Sequence, residues 1–419
     1  MIQPYTNRKN SPQSPLRAKS FIYIFSAFSA FSAVKYSLCR TYIHNHLSSN
    51  GEKMKNLIQK LTETFSPSGY ESAIREVIRG EVEALADEVR VDALGNLIVR
   101  IGAKGRNGKR IMLAAHMDEI GLIATHIDEH GFIRFTSVGG VLPHTMLSGR
   151  IQFANGTQGV IGLENYWHTD EFPSLRECYI DVGATSAKDC PVKVGDVAAF
   201  QRPFLDLGRR LVAKSMDDRI GCAVLIETLR SLKTSPRPDK NIRDFAGTGT
   251  TSPRAGTGTT SPCAGTGTTS PHELVFAFTT QEEVCTRGAG TSAFGIDPDI
   301  GLAVDVTLTG DTPKSRPMAI SLGKGPAVKV KDSGMLSDPR IVEWMCSTAE
   351  RKRIPYQREV LEGGSTDARA IQMTRSGVPV GCLSIPSRYV HTPSEMVDYE
   401  DVQNSVKLLV ALLSGPVNW

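Results

Sequence analysis

The sequence contains no C-x-x-C pair, although it has eight cysteines in 419 residues. Scattered single cysteines argue against a zinc ribbon and a dithiol redox pair, and they favour a reducing compartment such as the cytoplasm. A large excess of charge of one sign is lacking as well, because 48 lysines and arginines stand against 44 aspartates and glutamates, giving a net charge of +4. A nucleic-acid-binding protein would carry a concentrated basic surplus, so we expect no nucleic-acid partner.

Long apolar runs are lacking too. The apolar stretch at 21–38 is interrupted by four serines and Lys35, whereas a membrane span needs about 20 mostly apolar residues. We therefore expect no membrane partner. With 40% hydrophobic and 22% charged residues, the composition excludes collagen, a coiled coil and a wholly disordered chain.

Residues 1–53 differ in composition from the sequence that follows. Four basic residues precede the apolar stretch, as in a signal peptide, but the Phe-Ser-Ala triplets offer no clear cleavage site. Three interpretations stay open: translated sequence upstream of a true start at Met54, a signal or anchor, and a disordered tail. We expect this extension to be disordered or absent from the native protein.

A nine-residue pattern, A-G-T-G-T-T-S-P-x, occurs three times at 246–272. Solenoid repeats are longer and carry buried apolar positions, whereas this one offers only alanine. Such a segment cannot bury enough apolar surface to offset the entropy of ordering it. We therefore predict a disordered surface loop for 246–272.

The remaining sequence alternates apolar strands with helical patterns. Continuous apolar runs typical of buried strands are Ile111–Ala115, Leu274–Phe278, Ile300–Val306 and Val378–Ile385. Helical spacing is found at 218–232, 286–295, 338–352 and 399–414, and Ser68 with Glu71 fits a capping box before a further helix. These patterns predict an α/β fold with a mixed, largely parallel central sheet flanked by helices.

A different pattern interrupts this α/β sequence. From about 124 to 208 the strands are short and alternating, with turn signals at Glu129–Gly131 and Asn155-Gly156. We predict a small β domain at 124–208, inserted into an α/β domain formed by 54–123 and 209–419.

Acidic and histidine side chains recur just after the apolar strands or at a helix entry: His116, Asp118, Asp217, Asp218, Glu282, Glu283, Asp305 and His391. In open α/β sheets, ligands bind at the carboxyl ends of the strands. Two histidines and three carboxylates suit a dinuclear zinc or cobalt site, in which one carboxylate must bridge the metals. Two metals can share a water and lower its pKa towards about 7.

Spacing suggests roles for the carboxylates. In an extended strand, the side chains of His116 and Asp118 share a face, so Asp118 can accept from the far imidazole nitrogen and orient it. Glu282 and Glu283 would point to opposite sides of a strand, so one can ligate metal while the other acts as general base. Asp218 either caps the helix that follows or supports a ligand.

The motifs around these residues resemble those of metallopeptidase family 42, which includes glutamyl, deblocking and tetrahedral aminopeptidases. They are Ala-Ala-His116-Met-Asp118-Glu-Ile-Gly121, Lys214-Ser-Met-Asp217-Asp218-Arg-Ile-Gly221, Thr-Gln-Glu282-Glu283-Val-Cys-Thr-Arg-Gly288, Ala-Val-Asp305-Val-Thr, Gly363-Gly-Ser-Thr-Asp367 and Tyr-Val-His391-Thr-Pro-Ser. The resemblance covers about 54–419 apart from the repeats. Some proteins of this family carry the name endoglucanase, for which the motifs give no physical support.

The resemblance implies a metal-dependent aminopeptidase with a dinuclear centre. Carried over by position, His116, Asp217 and Asp305 would hold one metal, and Asp217, Glu283 and His391 the other. Glu282 would be the general base and Asp118 the residue that orients His116. The family also implies peptide substrates and a homo-oligomer, commonly a dodecamer, assembled through the inserted β domain.

One position departs from the family pattern. Cys285 stands where the family usually has glycine, and a positive φ there would strain a cysteine. Two other functions stay open: a related dinuclear hydrolase acting on N-acyl amino acids, and a catalytically silent assembly protein.

Overall fold

The computed structural model describes residues 51–165, 172–234 and 269–417. Met54–Trp419 form one compact unit, and of the other unit, Met1–Lys53, only 51–53 are described. The predictions for 1–50 and for most of the repeat segment therefore lie outside the described residues. The end of that segment is described, and there His272 is buried, accepting at Nδ1 from the main-chain N–H of Lys109 at 3.0 Å.

The described strands are β1 (Glu88–Val91), β2 (Leu97–Ile101), β3 (Arg110–His116), β4 (Gly121–Ile127), β5 (Ile133–Val138), β6 (Arg150–Phe153), β7 (Gln158–Leu163), β8 (Cys178–Asp181), β9 (Val197–Phe200), β10 (Leu205–Asp206), β11 (Arg210–Ala213), β12 (Glu273–Thr279), β13 (Ile300–Thr307), β14 (Ala327–Lys331), β15 (Gln357–Val360), β16 (Val380–Arg388) and β17 (Glu395–Asp398).

The described helices are α1 (51–63), α2 (Ser72–Val82), α3 (Pro143–Met146), α4 (Met216–Thr234), α5 (Arg287–Ile296), α6 (Pro339–Lys352), α7 (Asp367–Gln372) and α8 (Tyr399–Leu413). α4, α5, α6 and α8 coincide within a few residues with the predicted helical patterns. The short α7 carries too little periodicity to be predicted.

Strands β12, β3, β13 and β16 form the parallel centre of an 11-stranded sheet. Outside them the pairing is mostly antiparallel, for example between β12 and β2 and between β16 and β17. The prediction of an α/β fold with a mixed central sheet flanked by helices is confirmed, and the parallel part of the sheet is its four-stranded centre. All four central strands belong to the apolar runs recognised in the sequence.

The continuous apolar runs supply two hydrophobic cores, one on each face of the sheet. In β3, Ile111 and Leu113 pack into the core that includes residues of α1, α2, α4, α6 and α8. Met112 and Ala114 point to the other face, where α5 and α7 contribute residues. Successive side chains of a strand alternate between faces, so a strand buried on both sides has no polar position.

Strands β4 to β9 close into a six-stranded barrel in the order β4-β5-β8-β7-β6-β9. Its core contains Phe135, Phe153 and Ile180, among others. The turn signals of the sequence are realised as left-handed glycines, Gly131 between β4 and β5 and Gly156 between β6 and β7. The barrel spans Gly121–Phe200, close to the insert predicted at 124–208.

None of the helices in the described ranges combines the length and the apolar character needed to cross a bilayer.

Candidate functional site

The polar side chains singled out by the sequence lie where the central strands end. His116 is the last residue of β3 and pairs with Thr279, the last residue of β12. Asp305 lies near the end of β13 and pairs with Ser384 of β16. Because these strands run parallel, their carboxyl ends meet at one edge of the sheet, which is where α/β folds bind ligands.

The His116 imidazole has a partner at each ring nitrogen. Nε2 lies 3.0 Å from Oδ1 of Asp217. Nδ1 lies 3.2 Å from the main-chain oxygen of Asp118 and 3.5 Å from Oδ1 of the same residue. Only 2% of the His116 side chain is exposed. The ring is thus fixed from behind by Asp118, with Nε2 directed towards the other carboxylates.

Asp217 lies between two imidazoles. Its Oδ1 contacts His116, and its Oδ2 lies 3.4 Å from Nε2 of His391, in the loop between β16 and β17. The residue stands at the start of α4, where the backbone of Asp217 and Asp218 is not yet helical. This local departure from the helix directs the Asp217 side chain at both histidines.

Glu282 and Glu283 lie in a turn, not on a strand as the sequence argument assumed. β12 ends before them, and Gln281 has a left-handed backbone with φ of 56°. The assumption was wrong because strand alternation stops at that residue. The two side chains still diverge: Oε2 of Glu282 lies 3.9 Å from Nε2 of His116, and Oε2 of Glu283 lies 3.3 Å from Nε2 of His391.

Two groups of side chains are close enough to hold an ion each, with ligand atoms within 4.8 Å of one another: His116 with Asp217 and Glu283, and His116 with Asp218 and Asp305. Asp218 therefore stands nearer to potential ligands than the sequence analysis placed it. It also accepts from the main-chain N–H of Gly221 at 3.0 Å, as an N-capping residue does. Both interpretations of Asp218 have a structural basis.

Asp118 connects His116 to the turn that carries the glutamates. Its Oδ1 accepts from the main-chain N–H of Glu282 at 3.0 Å, and its Oδ2 accepts from that of Glu283 at 3.2 Å. The Ser68 hydroxyl donates to the same Oδ2 at 2.6 Å. A single buried carboxylate thus holds three segments of the chain in register.

The capping box predicted for Ser68 and Glu71 is wrong. α2 begins at Ser72, and the Ser68 hydroxyl is used by Asp118. Glu71 instead accepts through Oε1 from the main-chain N–H of Gln281 at 3.1 Å. Both side chains therefore contact residues at the site and do not cap the helix.

Comparison with known proteins adds the family. The family model for M42 glutamyl aminopeptidases matches residues 95–246 and 262–408. The chain belongs to this family. A relative from Acetivibrio thermocellus, assigned as an aminopeptidase, is 41% identical over 361 residues, covering 86% of this chain and 98% of that protein.

Two solved peptidase structures share the fold of this M42-family chain. The aminopeptidase APDkam598 from Desulfurococcus kamchatkensis has a TM-score of 0.76 at 35% identity, covering 87% of this chain and 95% of that one. The TET1 peptidase of Pyrococcus horikoshii, which can assemble into a tetrahedron or a large octahedral shell, has a TM-score of 0.71 at 30% identity, with 86% and 99% covered. The predicted class, a peptide-bond hydrolase of the aminopeptidase type, is confirmed.

Burial dominates the electrostatics of the M42 site. It raises the pKa of Glu282 well above the ordinary value, and Asp305 and Asp367 raise it further against the opposing charge of His116. Burial also raises the pKa of Asp305 to about 8, with added repulsion from Asp217. Asp217 differs, because its hydrogen bonds with His116 and His391 outweigh burial and lower its pKa. Clustered buried carboxylates of this kind gain from a cation.

The donor set fits a divalent metal ion. Oε1 of Glu283 is buried and has no hydrogen-bond partner among the described residues. A buried carboxylate oxygen without a partner is costly, so it calls for a ligand in the site. The set combines imidazoles with carboxylates and contains no thiolate, a combination that suits zinc, cobalt or manganese at a catalytic centre.

Asp367, from the Gly363–Asp367 motif, is buried at the start of α7. Its Oδ2 accepts from the Thr279 hydroxyl, and its Oδ1 has no partner among the described residues. Burial raises the pKa of Asp367 to about 6. These contacts place Asp367 beside the site without making it a member of either ion-binding group.

The barrel reaches the site through the loop that follows β5. A Cβ atom added to Gly140 would lie 2.5 Å from Nδ1 of His391. A Cβ atom added to the neighbouring Gly139, with φ of 81°, would lie 3.2 Å from Oε2 of Glu283. Only glycine leaves space for these two side chains, so the barrel forms one wall of the site.

Glu395 belongs to the site and was missed by the sequence analysis. Its Oε2 accepts from the main-chain N–H of Asp217 at 2.8 Å, and its Oε1 accepts from that of His391 at 2.8 Å. It does not follow an apolar run, so the rule that identified the other residues could not find it. Its position four residues after His391 is the only signal the sequence offers.

Proposed function

We propose that this M42-family protein removes the N-terminal residue of peptides at a site that holds two divalent metal ions, zinc or cobalt. The observation that carries the proposal is the position of Asp217, with one carboxylate oxygen directed to His116 and the other to His391. A carboxylate shared in this way is what a dinuclear centre requires, because the protein otherwise offers too few ligands for two ions.

The ligands divide into two sets that share Asp217. His116, Asp217 and Asp305 hold one ion, and Asp217, Glu283 and His391 hold the other. The supporting observations are the grouping of His116 with Asp305 and of Asp217 with Glu283, and the buried Glu283 oxygen that has no partner among the described residues. His391 belongs to neither group and is assigned by its contacts with Asp217 and Glu283, at 3.4 and 3.3 Å. Divalent ions held there would supply polarisation of the scissile carbonyl and a lower pKa for a bound water.

Glu282 acts as the general base. Its carboxylate lies 3.9 Å from Nε2 of His116 and belongs to neither proposed ligand set, so it stays available to a water. Burial raises its pKa above the ordinary value of a glutamate, which makes the carboxylate a stronger base. Glu282 accepts the proton of the attacking water and then delivers it to the amine that leaves.

Asp118 orients the catalytic groups. It holds the ring of His116 through Nδ1 and the main chain of the glutamate pair through two N–H groups. Residues that contact ligands in this way set their direction and basicity. We assign Asp118 this role without direct contact to substrate.

The protein also forms a homo-oligomer, up to a dodecamer, in which the barrel at Gly121–Phe200 takes part. The support is the likeness to the Pyrococcus horikoshii TET1 peptidase, which assembles into shells. Light scattering on the purified protein tests it, and a mass close to the 45.5 kDa of one chain would contradict it. We place this assembly in the cytoplasm.

A panel of unblocked and N-acetylated peptides tests the activity. The protein is stripped of metal, assayed, and assayed again after addition of zinc or cobalt. We expect release of free N-terminal residues only with metal and only from unblocked peptides. Cleavage of acetylated amino acids instead would favour the N-acyl hydrolase, and no turnover with two ions bound would favour the silent assembly protein.

A further inference from the structure

Glu395 is held in a fixed place by the sheet. It is the first residue of β17, and its Cα pairs with Ala213 of β11 in an antiparallel register. Its side chain is 1% exposed. The strand pairing therefore fixes the Glu395 carboxylate a few residues from the point where the chain enters α4 at Asp217.

The two oxygens of Glu395 accept from two different main-chain donors. Oε2 accepts from the main-chain N–H of Asp217, and Oε1 accepts from the main-chain N–H of His391, each at 2.8 Å. Both oxygens are thus used by main-chain donors, which leaves the carboxylate facing the backbone of the two residues rather than their side chains. Glu395 therefore acts on their position.

His391 needs such support. Its backbone is left-handed with φ of 62°, a conformation that costs a non-glycine residue energy and persists only when the surroundings hold it. Its side chain is 35% exposed, so packing restrains it less than it restrains His116. The hydrogen bond to Glu395 is a restraint on this backbone from a rigid strand.

We propose that Glu395 is a positioning residue that sets the distance between Asp217 and His391 by accepting from both of their main-chain amides. It thereby controls the affinity for the second metal ion, the one assigned to Asp217, Glu283 and His391. The proposal rests on the dinuclear site described above. It goes beyond that site because both Glu395 oxygens are used by main-chain amides, so Glu395 acts through the backbone of two proposed ligands.

The substitution Glu395→Gln tests this with almost no change of shape. A carboxylate can accept from two N–H groups, whereas a carboxamide has one acceptor oxygen and an NH₂ group that faces the other donor. One of the two amides then loses its partner. We expect affinity for one of the two ions to fall about 10- to 100-fold, the effect typical of residues that orient ligands.

The readout is equilibrium binding of Zn²⁺ or Co²⁺ to metal-stripped protein, measured by competition with a chelating dye. This measurement does not depend on peptidase activity. Wild type should bind two ions, and Glu395→Gln should bind the second one weakly. Glu395→Asp keeps both oxygens on a shorter side chain, so its metal affinity should lie between those of wild type and Glu395→Gln. If either variant folds and binds both ions with wild-type affinity, the proposal is wrong.

Asp401 supplies a matched control. Its oxygens also accept from two main-chain amides, those of Gly323 at 2.6 Å and Gly325 at 2.7 Å, away from the ion-binding groups. Asp401→Asn loses an acceptor in the same way and should leave metal affinity unchanged; an equal loss of affinity would reduce the Glu395 effect to general destabilisation and overturn the proposal. Failure of wild type to bind two ions would instead refute the dinuclear site itself.

Discussion

The carboxylate of Asp118 accepts a hydrogen bond from the main-chain N–H of Glu282, with 3.0 Å between Oδ1 and the nitrogen. The residue assigned to orient His116 is therefore also bonded to the residue assigned as general base. A change at Asp118 should disturb both, whereas a change in the Glu282 side chain should leave Asp118 in place. The first two predictions depend on this difference.

Glu282→Gln removes the proposed base and keeps the shape of the side chain. We expect kcat to fall by about 10² to 10⁴, the usual contribution of a positioned acid or base. Metal content should remain at the wild-type value, because Glu282 belongs to neither of the two ligand sets proposed above. Steady-state kinetics with metal analysis measures both, and a variant that loses metal together with activity would contradict the assignment of Glu282 as base.

Asp118→Asn changes the residue behind the imidazole. The carboxamide cannot accept from Ser68, Glu282 and Glu283 as the carboxylate does. We expect metal affinity to fall about 10- to 100-fold together with kcat. Metal titration beside kinetics distinguishes this from Glu282→Gln. Loss of activity with unchanged affinity would show that Asp118 does not orient His116.

Gly140→Ala tests the contact between the barrel and the site. The new methyl group would meet the His391 ring, since its Cβ lies 2.5 Å from Nδ1. We expect His391 to be displaced and peptidase activity to fall about 10-fold or more, as for other misplaced catalytic geometry. Gly80→Ala in α2, where an added Cβ has nothing within 4 Å, is the control. Equal activity in both variants would show that the loop after β5 moves to accommodate the methyl group without displacing His391.

Cys285→Gly should stabilise the protein. Cys285 is exposed and has φ of 85°, so the conditional expectation of strain at this position is met. Glycine adopts this conformation without penalty, and we expect the free energy of unfolding to rise by roughly 1 kcal/mol. Denaturant unfolding measures it, with Cys285→Ala as the control that keeps the strain. A gain of equal size in the alanine variant would point to the thiol rather than the backbone.

Asp401 gives the stability a specific pH dependence. Burial raises its pKa to about 6 in spite of hydrogen bonds from Gly323 and Gly325, whereas the unfolded value is about 3.9. An acid with a raised folded pKa stabilises the protein at low pH, and this contribution is lost as the pH rises through 6. The asparagine variant does not titrate there. Its stability deficit against wild type should therefore shrink by roughly 2 kcal/mol between pH 4 and 7, which unfolding curves at both pH values measure. A stability deficit of the same size at both pH values would contradict the raised pKa of Asp401.

The strand ends were the part of the site that the sequence could predict. A strand buried on both faces reads as a continuous apolar run, so a polar residue after it stands out, as His116 does after β3. The same contrast drew attention to Asp305 and to the glutamate pair. Their proximity then followed from the parallel direction of the strands, which is a property of the fold class rather than of any one residue.

The supporting contacts could not be predicted in this way. Glu395 is one of 44 acidic residues, and its contact with Asp217 depends on the pairing of β17 with β11, which no local pattern encodes. Ser68 and Glu71 carry a sequence signature, but it is that of a capping box. The direction of Glu282 was assigned by strand alternation, which the left-handed Gln281 interrupts. Each case depends on long-range packing or on a backbone dihedral.

The strand order also determines when this protein can fold. β3 lies between β12 and β13, so both of its neighbours are synthesised after the whole barrel. Pairings over such distances in sequence lose much chain entropy before their contacts compensate it, and sheets of this kind fold slowly. His391 is synthesised after the other four proposed metal ligands, so the cluster cannot assemble before it. Until β12 and β13 are synthesised, both edges of β3 are unpaired and open to aggregation, and yield should depend on chaperones and on the speed of synthesis.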